Sequence, residues 1–214
     1  MVFDFDGLLM DTESTSFESW RYEWQQWGLT LEQATFFADH GGDVTEHRHA
    51  MLAAAVGGSF DGELSRRRRV DFREQLHASL DLLPGLRAWL DEARRKGIRL
   101  AIASSSPSDW VMGHLRRVGA EREFEIWACG NEVATAKPAP DVYLLALDRL
   151  GITGDEAVAV EDTPHGVAAA KAAGMACIAI PNPFAASARF AAADLVLASA
   201  IQLSLSEALQ RLRP

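Results

Sequence analysis

The hydrophobic pattern of the 214-residue chain changes its rhythm once, near Leu83. Before that point apolar positions recur three and four residues apart. Phe17, Trp20, Trp24 and Trp27 form such a line, and Gly28 stands where a helix would stop. The spacing predicts an amphipathic helix whose aromatics either pack a helical core or line a pocket. A short helix is predicted over 30–38, a loop over 39–43, a helix over 45–56 ended by Gly57-Gly58, and another over 60–80. After Pro84-Gly85, helix-length amphipathic segments alternate with short apolar runs. Helices are predicted over 86–96, 109–118, 141–150, 167–173 and 202–212. Strands are predicted over 98–103, 125–129, 157–160, 176–180 and 195–197, with a first strand at Met1-Val2-Phe3. Such alternation places parallel strands in a doubly wound α/β sheet covered by helices on both faces.

Ligands of such sheets bind beyond the carboxyl ends of the strands, so reactive side chains are expected just after each apolar run. The first run is followed by Asp4 and Asp6, the run 98–103 by Ser104, Ser105 and Ser106, and the run 157–160 by Glu161, Asp162 and Thr163. Asp4 and Asp6 share a strand face, and an isolated buried charge is costly, so the pair belongs where the strand ends. Gly7 lets the chain leave the sheet there, and the two acids can hold a cation or divide the work of nucleophile and acid/base. A polar turn is the plainer alternative. Lys137 lies in Lys137-Pro138-Ala139-Pro140, a loop that two prolines keep from being helical. Together these residues offer carboxylates for a divalent cation, hydroxyls and amides for oxygens, and a fixed positive charge. That is the equipment of phosphoryl transfer.

Composition narrows the classes of partner. The formal charge of −9 argues against nucleic acid, whose binders carry a basic face. No apolar run approaches a membrane span and the charged first dozen residues do not read as a signal peptide, so a cytoplasmic protein is expected. Cys129 and Cys177 are far apart and sit in apolar runs, which predicts buried thiols rather than a disulfide or a zinc site. His40, His47 and His49 lack the spacing of a known ligand set and are expected at the surface. The run Arg66-Arg67-Arg68-Arg69 reads as a solvated face, although Arg68 is four residues from Leu64 and from Phe72 and is a candidate contact for an anionic substrate. Asp141 and Thr163 are expected to cap helices. His165 either points to the site rim or occupies a helix's first turn.

The segments D-F-D-G-L-L-M-D-T, I-A-S-S-S, K-P-A-P-D and V-E-D-T-P-H-G-V-A-A-A-K-A-A-G-M, which span the whole chain, resemble the haloacid dehalogenase superfamily of phosphohydrolases in its β-phosphoglucomutase-like branch. The resemblance implies a Rossmann-like core over 1–13 and 84–214 with an inserted all-α cap over 14–83. It implies that Asp4 is the nucleophile and Asp6 the acid/base. Mg²⁺ would be held by Asp4, Asp162 and the backbone carbonyl of Asp6, with Glu161 assisting directly or through water. Ser104, Lys137 and the amides near Ser105 would grip the phosphoryl group. The cap loop, with Gly42, Thr45 and Glu46, would choose the substrate. Hydrolysis rather than dehalogenation follows from Asp6, which the dehalogenases lack. The branch's sugar-phosphate mutases have a histidine where this chain has Ser16, and an arginine in the cap loop where this chain has an acid. This favours a phosphatase acting on a small phosphorylated metabolite, as a monomer, over a mutase. A non-enzymatic phospho-aspartate regulator is the alternative of another class, but Asp6 would shorten the life of its phosphorylated state.

Overall fold

The computed structural model describes residues 1–37, 45–184 and 187–212. The chain divides into two compact units, Thr12–Leu80 on the one hand and Met1–Asp11 with Asp81–Pro214 on the other. No helix of the described residues is long and apolar enough to cross a membrane.

The unit Thr12–Leu80 is helical, with α1 (Thr12–Gln26), α2 (Gln33–Phe36), α3 (Thr45–Val56) and α4 (Gly62–His77). Phe17 and Trp20 of α1 are buried, and Tyr22 stacks on Phe72 of α4 with ring centroids 4.2 Å apart. The helix expected over 60–80 is shorter because the Asp61 carboxylate accepts from the Leu64 amide and caps α4 at its start. Two expectations of solvent exposure are overturned in this unit. His49 is buried against the Trp20 ring at 4.7 Å, and Arg69 is buried with its guanidinium 4.4 Å from the same ring. The inward face of α4 therefore runs through Ser65 and Arg69, while Leu64 is 42% exposed. Indole stacking explains how an arginine can lie there. The expected loop 39–43, with His40 and Gly42, lies outside the described residues.

Among its described residues the other unit holds six parallel strands in the order β3-β2-β1-β4-β5-β6. They are β1 (Val2–Phe3), β2 (Ala101–Ser104), β3 (Ile126–Cys129), β4 (Val158–Glu161), β5 (Ala176–Ala179) and β6 (Leu195–Val196). The helices α5 (Leu86–Arg95), α6 (Ser108–Arg117), α7 (Asp141–Leu150), α8 (Pro164–Ala172) and α9 (Leu205–Arg211) complete it. This is the expected doubly wound α/β sheet. The chain order reverses beside β1, which pairs with β2 on one side and β4 on the other. A crevice at such a reversal is where these sheets bind ligands. The core packs α7 and α8 onto the sheet through small and β-branched residues, among them Val142, Ala146, Val167, Ala169 and Ala170. Cys129 and Cys177 are buried free thiols, as expected.

Element boundaries differ from the periodicity where glycines and caps intervene. Strand β2 starts at Ala101 rather than at 98, because Gly97 takes a left-handed φ of 66° and the Ile98 amide donates back to Ala93 of α5. Strand β4 begins at Val158 because the Ala157 amide closes a turn onto Gly154. It extends to Glu161, whose carbonyl accepts from the Ile180 amide. Helix α8 starts earlier than expected, with Thr163 as its cap and Pro164 at its first position.

Candidate active site

Strand β1 delivers Asp4 to the centre of the sheet's carboxyl edge, where the Asp4 amide donates to the Val160 carbonyl of β4 at 3.0 Å. At Gly7 the chain turns away with a φ of 78°, a conformation open to glycine, and the Gly7 amide donates to the Met10 carbonyl. Three buried carboxylates meet at this edge. Asp4, Glu161 and Asp162 each offer an oxygen, and these oxygens lie within 4.8 Å of one another.

Lys137 reaches into the same place. Its Nζ donates to Asp4 Oδ1 at 2.5 Å, to Glu161 Oε1 at 2.6 Å and to the Ala103 carbonyl at 2.8 Å. All three ammonium hydrogens are thus engaged. Burial opposes this charge, but the two carboxylates outweigh burial and raise the lysine above its ordinary value, so it stays protonated. Burial pushes the Asp4 carboxyl up to about 8, against the pull of Lys137 and with a further push from Glu161. With all three acids ionised, three carboxylates against one ammonium leave two negative charges, which is the charge a divalent cation would balance. Oxygen-only donors suit a hard ion such as Mg²⁺, so the residues present fit the metal.

Glu161 is the most heavily bonded of the acids. Oε1 also accepts from the Tyr143 hydroxyl at 2.6 Å, and Oε2 accepts from the Asp162 and Thr163 amides at 3.1 and 3.5 Å. Burial raises the Tyr143 hydroxyl well above its ordinary value, with Glu161 adding to the effect, so it remains a donor. Asp162 accepts at Oδ2 from Asn182 Nδ2 at 2.9 Å. Asn182 is in turn fixed by the Phe184 amide on its own oxygen. Neither Tyr143 nor Asn182 stands out in the sequence, because what each donates to is set by packing between distant segments.

Asp6 has a different setting. It is half-buried, with Oδ2 2.6 Å from the Ser106 hydroxyl and Oδ1 2.9 Å from the Trp110 indole N–H. Its carboxylate is not among the three clustered acids. Ser104 is buried at the end of β2, and its Oγ accepts from the Ser106 amide at 3.0 Å. Ser105 is exposed.

The remaining candidates lie elsewhere. Thr163 caps α8 by accepting from the Gly166 amide, as expected. Asp141 instead accepts from the Thr135 amide and so ties down the preceding loop, with no side-chain cap on α7. His165 is half-buried in the first turn of α8. In the helical unit Thr45 and Glu46 open α3, and Glu46 is paired with Arg66 at 3.1 Å. Arg68 directs two N–H groups to Glu23, at 3.2 and 2.7 Å, so an anionic substrate would compete with that carboxylate. Trp20 and Trp24, for which the spacing leaves core and pocket both open, line a small pocket within this unit, with Leu31, Phe36, Arg48 and Met51.

The fold and the acid-rich strand ends define a parallel α/β protein whose central edge carries two aspartates of unlike surroundings. Residues 1–180 match the family model described as haloacid dehalogenase-like hydrolase. YhcW of Bacillus subtilis is 32% identical over 99% of this chain and 96% of its own length. The phosphorylated carbohydrates phosphatase of Thermotoga maritima is 32% identical over 82% of this chain and 81% of its own. Among solved structures, a HAD family hydrolase from Deinococcus radiodurans with bound phosphate and sodium superposes with a TM-score of 0.82 at 27% identity, covering 99% of this chain and 95% of that one. The chain belongs to the haloacid dehalogenase superfamily of hydrolases, in its phosphatase branch, and it is an enzyme.

Proposed function

We propose that the chain is a Mg²⁺-dependent cytoplasmic phosphatase that hydrolyses a small phosphorylated metabolite of the sugar-phosphate kind through an aspartyl-phosphate on Asp4. The observation that carries this reading is the unequal treatment of the two acids. Asp4 is buried beside Lys137, Glu161 and Asp162, while Asp6 accepts from the neutral donors of Ser106 and Trp110. One is equipped to bond phosphorus and the other to carry a proton.

In the proposed reaction an Asp4 oxygen bonds to phosphorus as the ester P–O bond breaks, and the leaving oxygen takes a proton from Asp6. A water then gives a proton to Asp6 and attacks phosphorus, which breaks the bond to Asp4 and releases inorganic phosphate. Lys137 and the Ser104 hydroxyl neutralise and orient the phosphoryl oxygens. Asp4, Asp162 and the Asp6 carbonyl would hold Mg²⁺, which when bound supplies charge neutralisation for the phosphoryl oxygens. Glu161, already accepting from Lys137 and Tyr143, is better suited to orienting its neighbours than to direct ligation. The helical unit is proposed to be the cap that selects the substrate, with Gly42, Thr45, Glu46 and Arg68 as its contacts, and a single chain is proposed to be sufficient. The name of the Thermotoga maritima relative supports the carbohydrate assignment.

Phosphate release should be measured over a panel of phosphorylated sugars, polyols and nucleotides with Mg²⁺ and with chelator. Sugar or polyol phosphates should be preferred, chelation should abolish turnover, and Asp4→Asn should fall to background. Full activity in Asp4→Asn would overturn the nucleophile assignment. Conversion of a hexose 1-phosphate to a 6-phosphate faster than phosphate release would establish a mutase instead.

A further inference from the structure

We infer that Trp110 is a positioning residue for Asp6, and that it decides which carboxylate oxygen carries the transferred proton. The inference rests on the reading of Asp6 as acid/base. An indole N–H donates and cannot accept. Asp6 Oδ1, 2.9 Å from the Trp110 nitrogen, must therefore remain an acceptor whether or not the carboxyl is protonated. The proton is left to Oδ2. There Ser106 sits at 2.6 Å, and a hydroxyl can reverse its role by donating to the carboxylate and accepting from the acid. The pair thus serves both protonation states of one oxygen while pinning the plane of the group.

Trp110 is itself well held. It lies in the first turn of α6, where its amide donates to the Pro107 carbonyl. Its ring lies 4.2 Å from that of His114, whose Nδ1 bonds the Trp110 carbonyl at 2.9 Å. His114 in turn meets Phe5, the residue before Asp6, at 5.8 Å. The brace therefore closes back on the segment that carries the acid.

Leaving-group dependence separates this role from a purely structural one. A poor leaving group such as a sugar or glycerol alkoxide needs the proton, and 4-nitrophenolate scarcely does. The quantity to compare is kcat/KM, which ends at formation of the aspartyl-phosphate and excludes its hydrolysis. In Trp110→Phe, which keeps the ring contact and removes the N–H, kcat/KM for glycerol phosphate should fall about tenfold or more, the scale of one hydrogen bond to a charged group. The fall for 4-nitrophenyl phosphate should stay under about threefold. Ser106→Ala should shift the ratio in the same direction. Because each variant supplies its own ratio, a poorly folded preparation lowers both values together and does not imitate the effect. Equal losses on the two substrates, or none, would overturn the inference. An Asp6→Asn variant that still cleaves glycerol phosphate at full rate would overturn the acid/base reading and this inference with it. An Asp6→Asn loss beside an unchanged ratio in Trp110→Phe would overturn this inference alone.

Discussion

Gly166 and Gly113 both lie within helices, and the same substitution at the two should act with opposite sign. A Cβ built at Gly166 falls 1.9 Å from Glu161 Cδ and 2.0 Å from both of its carboxylate oxygens, where real Cβ contacts stay beyond 3.0 Å. Glu161 has no room to yield. It is fully buried and holds Lys137, Tyr143 and the Asp162 amide. A shift large enough to clear the methyl group breaks at least the bonds to Lys137 and Tyr143. Hydrogen bonds to charged groups are worth about 1.5–3 kcal/mol each. Replacing a helical glycine by alanine returns about 1 kcal/mol. The net cost of Gly166→Ala is therefore about 3 kcal/mol, or ~6–12 °C in melting temperature for a chain of this size. Gly113, exposed in α6 with nothing within 4 Å of its Cβ, should gain about 0.5–1 kcal/mol on the same change. Urea and thermal unfolding of the two variants beside the parent, together with phosphate release, test this directly. A Gly166→Ala protein as stable and as active as the parent would refute the claim that Glu161 is rigidly seated.

Two further outcomes concern the helical unit. Burial, with the nearby Arg69 charge, holds the His49 imidazole below its ordinary pKa of 6.5. The fold therefore favours the neutral ring, so this contribution to stability is complete above the unfolded pKa and declines as pH falls below it. Melting temperature followed from pH 8 to pH 5 should drop less steeply in His49→Gln than in the parent, and parallel curves would count against the assignment. Arg68→Ala removes the cationic partner of the Glu23 carboxylate, which is fully buried and keeps the Trp27 indole N–H at 2.9 Å, and should cost about 3 kcal/mol. Arg66→Ala breaks a pair whose Glu46 is 79% exposed and should cost under about 0.5 kcal/mol. Equal urea midpoints for these two variants would contradict the difference in burial.

Much of the candidate site was legible because the strand-end rule needs only the order of the apolar runs and the residues just past each one. Asp4, Glu161 and Asp162 meet as that rule requires, and Lys137, read from its proline-bounded loop, joins them. Gly166 was legible as part of E-D-T-P-H-G but not its reason, which is the space a carboxylate takes at the end of the preceding strand. Trp110, Tyr143 and Asn182 were not legible, since an aromatic or an amide becomes functional only through the atom it faces. The phase of α4 was misread for a related cause. The run 66–69 reads as a solvated face with Arg68 as its inward candidate; Arg68 does reach the buried Glu23, but Trp20 of α1 also offers a ring on which Arg69 packs. Apolarity alone does not report such a ring.

The two acids of the first segment are separated by a single residue, yet the chain places them in unlike chemical company. Asp4 directly follows β1 and sits between the neighbours of the central strand, β2 on one side and β4 on the other, and so meets Lys137 and the acids at the end of β4. Asp6 comes after the chain has begun to leave the sheet, and its neighbours come from the loop and helix beyond β2. The turn at Gly7, with its left-handed φ, is therefore more than an exit. The lysine beside Asp4 suits the proposed role of an anion towards phosphorus, whereas the hydroxyl and indole beside Asp6 suit the proposed role of proton carrier. The proposed division of labour between the two aspartates thus follows from where β1 stops.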